Sequence, residues 1–144
     1  MIKNLKKKIT GEYILSITRR AKYILFTLSN DIKIISHLGM SGSYRVIDKK
    51  LFHNNNKIKH DHFIFKTEKF VVIYNDPRRF GYILLHSDST TEHDRLKNLG
   101  YEPLSKECNA KNLSLLLHNK ERNIKNVLMD QRIISGLGNI YVCE

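Results

Sequence analysis

Phe70-Val71-Val72-Ile73-Tyr74-Asn75, followed at once by Asp76-Pro77-Arg78-Arg79-Phe80-Gly81, is the stretch from which the fold reads outward. The first half is a short β-branched and aromatic run, the composition of a strand. The second half is a turn that sets two guanidinium groups beside an aromatic ring. The same alternation of short apolar run and turn recurs on both sides. Glu12–Thr18, Tyr23–Leu28, Ile32–His37, Ser43–Ile47, His62–Lys66 and Tyr82–His86 are rich in Ile, Val, Tyr and Phe and read as further strands. Asn30-Asp31 and Thr67-Glu68-Lys69 read as hairpin turns, and the Asn-rich segment 48–58 as a longer loop. Closely spaced strands with turn signals favour a sandwich or barrel over alternating strand and helix.

Beyond Ser87 the pattern changes. Thr91–Leu99 is helical in pattern, with Gly100 placed as a left-handed C-cap. Asn109 is positioned to cap a helix through Leu113, Leu116 and Leu117, and a shorter helix is predicted over Ile124–Asp130. Ser135-Gly136-Leu137-Gly138 reads as a tight double turn, and Asn139–Glu144 as the start of another helix. The fold class expected is α+β: a β-sandwich-like domain over residues 1–88, then a helical region over 89–144.

The chain has 144 residues and 41% hydrophobic content with seven Tyr and six Phe, enough for a real core. Its net charge of +11 points to a polyanionic partner. Residues 1–50 carry eleven Lys or Arg against three acids, so +8 of that excess lies in the first third. No apolar run approaches the ~18–20 residues of a membrane span, and the lysines of residues 1–8 precede no signal-peptide core, so a cytoplasmic protein is expected. Cys108 and Cys143 stand alone without a C-x-x-C spacing, which predicts buried or inert thiols rather than a zinc site or disulfide.

Five segments carry candidate chemistry. In Asn75–Gly81, arginines suited to phosphate or a base edge flank Phe80, a ring able to wedge a base step; alone, the segment is equally a surface turn. His37-Leu38-Gly39-Met40-Ser41-Gly42 sets a flexible apolar side chain between glycines that permit close backbone approach; a hairpin with Met40 in the core is the alternative. Gly136-Leu137-Gly138-Asn139 at a helix start offers N–H groups to a phosphate, with Lys125 as countercharge, or is an ordinary turn. Arg19-Arg20-Ala21-Lys22 concentrates cations before a strand. In Lys59-His60-Asp61-His62, two histidines on one strand face suggest a metal, but no further ligands join them, so a phosphate or structural role is expected for His60.

Taken in order, RRAKY (19–23), HLGMSG (37–42), KHDH (59–62), NDPRRFG (75–81), LGYEPLS (99–105) and IKNVLMDQRIISGLGNIY (124–141) closely resemble the Fpg family of formamidopyrimidine-DNA glycosylases, with endonuclease VIII as its relative. The resemblance spans residues 12–144. It implies a β-sandwich followed by the start of a helix–two-turn–helix module. It also implies base-excision repair, in which an oxidised purine such as 8-oxoguanine is flipped out and excised from double-stranded DNA and the abasic strand is cut. Carried onto this chain, Met40, Arg78 and Phe80 match the residues that fill the vacated space, and His60 and Arg79 match backbone contacts. Lys22 matches the proton donor in strand elimination. Lys125, Asn139 and, more loosely, Lys120 match phosphate contacts, and Glu144 matches a glutamate of the module's second helix.

The family's nucleophile is an N-terminal proline followed by glutamate, a secondary amine that attacks the sugar and forms an iminium. This sequence starts Met1-Ile2-Lys3-Asn4 and has prolines only at 77 and 103. The expectation is therefore a chain truncated at both ends relative to the family. It would lack the nucleophile and the C-terminal zinc finger, hold no cofactor or metal, and act as a monomer. The alternatives are a non-catalytic module that binds damaged DNA and an inactive fragment.

Overall fold

The structure, a computed structural model, describes residues 2–53, 57–88, 91–118 and 121–144, with side chains of the first helix described from residue 5 onward. Lys120 and residues 54–56 of the Asn-rich loop lie outside the described residues. In chain order the elements are α1 (Ile2–Ile9), β1 (Ile14–Arg20), β2 (Tyr23–Leu28), β3 (Lys33–His37), β4 (Ser43–Asp48), β5 (Asp61–Lys66), β6 (Phe70–Asn75), β7 (Tyr82–His86), α2 (Ala110–Leu117), α3 (Ile124–Leu128) and α4 (Asn139–Cys143). After α1 the seven strands precede α2, α3 and α4, an α+β fold, as the sequence predicts. All seven predicted strands are present. One sheet runs in the order β1-β2-β3-β7 and the other β4-β6-β5. By its contacts the chain divides into two compact units, residues 1–34 with 85–144 and residues 35–84.

Within residues 35–84, β6 is central because Val71 and Ile73 are fully buried and every backbone group on both its sides has a ladder to join. Its two neighbours are antiparallel to it. The register pairs Ser43 and Asp61 with the same residue, Asn75. The start of β4, the start of β5 and the end of β6 therefore share one rim. The loop after β3, the turn before β5 and the loop after β6 all leave from it. A bulge between Asp61 and Phe63 re-aims the start of β5.

In the other unit, β1 and β2 form a tight hairpin whose last pair is Arg20 and Tyr23. Its turn is held by Ala21 in the left-handed region at φ 50°. Asn109 caps α2 by accepting the Asn112 N–H, as predicted. Val127, Ile133 and Ile134 form a buried cluster under Leu113, Leu116, Leu117, Leu128 and Leu137. The leucine spacing read from α2 is the spacing of this core.

Three expectations are corrected. Residues 91–99 form successive turns rather than a helix: both Leu96 and Lys97 donate to the His93 carbonyl, and the His93 ring accepts the Arg95 N–H. Gly100 is no left-handed cap; a Cβ there would lie 2.3 Å from the Ile133 carbonyl oxygen. Its N–H donates to Gln131 and that of Tyr101 to Ile133, so this backbone is committed to residues 131–135 in a strand-like bridge and not to continuing a helix. Second, α1 forms where only a lysine run was read. Its Lys6, Lys7 and Lys8 fall in the last turn, where the helix dipole favours cations. Third, the cysteines are not buried: Cys143 is exposed on α4 and Cys108 is half-buried.

Candidate nucleic-acid interface

The rim of residues 35–84 brings two predicted segments together. Gly39 has φ 63°, and a Cβ on it would fall 2.6 Å from the Gly81 nitrogen and 2.7 Å from the Phe80 carbonyl carbon. Only glycine allows the two loops to lie this close. Met40 then projects from its loop with 74% of its surface exposed, and Phe80 from the other with 56%. Met40 is thus not a core residue. The Arg78 guanidinium carbon sits 4.8 Å from the centre of the Phe80 ring, a cation–π contact. Arg79 is exposed at φ 58°, its N–H donating to the Asp76 carbonyl at 3.3 Å.

His60 precedes β5 rather than lying on it. It sits in the left-handed region at φ 73°, and its carbonyl accepts the Asp76 N–H at 3.1 Å. His62 donates from Nε2 to the Asp76 carbonyl at 2.9 Å. Their ring centres are 6.4 Å apart, and among the described residues no group of three or more His, Cys, Asp or Glu could hold a metal ion. The Asp61 side chain is almost wholly covered and anchors the turn through Arg45, Asn75 and the Ile58 N–H. Burial pulls its pKa up, but these three donors outweigh it and leave it below the usual range.

The residue beneath both loops is Asp76, fully buried. Its carboxylate accepts from the Ser41 hydroxyl (2.6 Å), the Gly81 N–H (2.8 Å), the Tyr74 hydroxyl (3.2 Å) and the Arg78 N–H (3.3 Å). The Ser41 hydroxyl leads in lowering its pKa to about 2, against burial. Tyr74 is pushed up to about 12 by burial and by Asp76 beside it. Sequence reasoning assigned neither Ser41 nor Asp76 a part.

In the other unit the cationic turn meets the glycine turn. Lys22 is exposed and donates from Nζ to the Leu137 carbonyl at 2.9 Å, and a Cβ on Gly138 would stand 3.0 Å from that amine. Gln131 shapes the turn, donating to Leu137 and accepting the Gly136 N–H. Gly136 has φ 85°. The hairpin is anchored by Glu102, which accepts from the Ala21 N–H, Arg19 and Arg20. Arg20 also reaches the Leu99 and Gly100 carbonyls and Ser135. Burial raises the Glu102 pKa, but these donors hold it at about 2. The Arg20–Glu102 pairing joins residues 82 apart, and only the quoted segments around each hinted at it.

Lys125 on α3 donates to the Cys143 thiol on α4 at 3.1 Å, and that thiol lies 3.7 Å from the Asn139 side-chain oxygen. The predicted pair Lys125 and Asn139 is therefore gathered on one exposed face. Glu144 is exposed and donates its N–H to Ile140.

Known proteins share this sequence and fold. Residues 1–83 match the family model for the formamidopyrimidine-DNA glycosylase N-terminal domain, and residues 99–144 the model for the formamidopyrimidine-DNA glycosylase H2TH domain. The chain belongs to the formamidopyrimidine-DNA glycosylase family. It is 45% identical to the formamidopyrimidine-DNA glycosylase of Bartonella bacilliformis over 96% of this chain and 51% of that protein. The Sinorhizobium fredii enzyme of the same name is 42% identical over 98% and 52%. Among solved structures, Lactococcus lactis Fpg non-covalently bound to DNA containing an AP site superposes with a TM-score of 0.86. It is 36% identical, with 98% of this chain and 52% of that one covered. The Lactococcus lactis Fpg complex with FAPY-dG DNA gives 0.85 at the same identity, over 97% and 52%. The chain thus spans about half the length of the curated relatives it matches. No helix among the described residues is long and apolar enough to cross a membrane.

Proposed function

We propose that this chain binds double-stranded DNA carrying a damaged base and takes part in base-excision repair of the family's kind: excision of oxidised purines with cleavage of the abasic strand. In this reading Met40 and Phe80 fill the space left by an extruded nucleotide, and Arg78 faces the base opposite. His60 and Arg79 contact the backbone, and Lys125, Asn139 and Lys120 hold phosphates. Lys22 donates a proton during strand elimination, and Glu144 assists on the last helix. A boundary near residue 88, within the interval between the two matched family models, divides the plug from the phosphate-gripping helices. The chemistry uses amines and guanidinium groups and calls for no metal or cofactor in these residues. The protein is read as a cytoplasmic monomer.

The observation that carries the proposal is the exposure of both Met40 and Phe80 on loops brought together at Gly39, with a guanidinium over the Phe80 ring. Apolar side chains held out in this way, beside cations, gain most when they enter a stack of bases. Two measurements on a duplex with 8-oxoguanine opposite cytosine test it. Preferential, salt-sensitive binding over intact duplex is expected; equal affinity for both overturns the reading. Borohydride added to the mixture then separates excision from binding alone, since a covalent adduct requires an amine of the protein to have attacked the sugar.

A further inference from the structure

We propose that Asp76 and Ser41 form a clasp that positions Met40, Arg78 and Phe80 as one unit, so that the two loops enter a vacated base position together. The inference rests on the damaged-DNA reading above and assigns that reading its positioning residues.

The two loops come from different strand ends, with Ser41 and Asp76 separated by 35 positions in the chain. Neither Met40 nor Phe80 is fixed by burial, because both are mostly exposed. What fixes them lies one layer below. Asp76 takes hydrogen bonds from both Arg78 and Gly81, and so holds the second loop on either side of Phe80. It also takes one from Ser41, which adjoins Met40. The Ser41 oxygen in turn accepts the Arg78 N–H at 3.1 Å, so one hydroxyl serves both loops. Four donors converge on this carboxylate, which suits an acceptor-only group. An asparagine would turn an NH₂ toward one of them. A buried carboxylate satisfied in this way resists rearrangement, since releasing any donor leaves a polar group without a partner.

The test uses the 144-residue chain with Ser41→Ala, Ser41→Thr and Asp76→Asn. The clasp is read first without DNA, by amide hydrogen exchange at Arg78 and Gly81. Ser41→Ala and Asp76→Asn are expected to speed exchange at both, while Ser41→Thr, which keeps the hydroxyl, retains protection. Function is read as the ratio of affinities for a duplex containing a tetrahydrofuran abasic analogue and for the intact duplex. It is read also by the fluorescence of 2-aminopurine next to the gap. Ser41→Ala is expected to lower the affinity ratio about tenfold, as loss of a hydrogen bond to a charged group does, and to reduce the fluorescence change. Affinity for intact duplex should hold, and Ser41→Thr should restore both signals. If Asp76→Asn does not fold, Ser41→Ala decides alone. Unchanged exchange at Arg78 and Gly81 in folded Ser41→Ala overturns the clasp, as does faster exchange with an unchanged affinity ratio. A parent chain with no preference for the abasic-analogue duplex instead removes the damaged-DNA reading, and the exchange data still decide whether the clasp exists.

Discussion

Phe80 is large, apolar and half in water, beside an arginine that stacks on it. In a folded chain such a side chain contributes little to stability, so Phe80→Ala should leave the thermal midpoint nearly unchanged. On DNA the outcome differs. A ring stacked on a base supplies ~1–3 kcal/mol, so Phe80→Ala should cut the preference for 8-oxoguanine duplex over intact duplex about tenfold. Titration of both duplexes measures this, and equal loss on both would remove the wedge assignment. Phe80 and Arg78 stand out in the sequence because a ring between cations is conspicuous. Asp76 does not, since an aspartate ahead of a proline reads as a turn former. Its four donors come from Ser41, Tyr74, Arg78 and Gly81, and only the folded rim brings them together.

The strands were legible because β-branched runs and turn residues alternate without conflict between them. Register was not, because nothing local states that Ser43 and Asp61 both meet Asn75. The helical half was harder to read. Thr91–Leu99 has a helical pattern, yet its following residues, Gly100 and Tyr101, spend their N–H groups on Gln131 and Ile133, far along the chain. Tertiary pairing overrode the local signal. Between α3 and α4 the position of Lys125 is set by Cys143, whose thiol is a weak acceptor and leaves the ammonium's other protons available. Lys125→Ala should therefore weaken binding to damaged and intact duplex alike. The slope of log K against log salt should fall by about one, the signature of a single lost phosphate contact. A slope that does not change would take Lys125 out of the interface.

With 25 Lys and Arg against 14 acids, protonation of the acids that are buried or paired is what weakens the fold in acid. Asp76 and Glu102 each titrate near 2 in the folded chain, well below the ordinary 3.8 and 4.5 of their groups. A carboxylate with a depressed folded pKa stabilises the protein above its unfolded value, and that contribution is lost as pH falls toward the folded one. Stability should therefore be flat from neutrality down to about pH 5 and decline between about 4.5 and 2. Thermal unfolding followed by circular dichroism across this range measures it. Glu102→Gln should be less stable than the parent at pH 7 and show a shallower acid decline, whereas an identical acid profile would remove Glu102 as a contributor.

The shared rim also bears on how such a surface changes over generations. The tips of the two loops touch water, and the glycines and the carboxylate beneath them touch backbone. Replacement of Met40 or Phe80 by another side chain meets little steric resistance, while a Cβ at Gly39 or Gly81 collides at once. Mutation at the tips thus costs recognition and leaves the platform standing, while mutation at the base costs the platform itself.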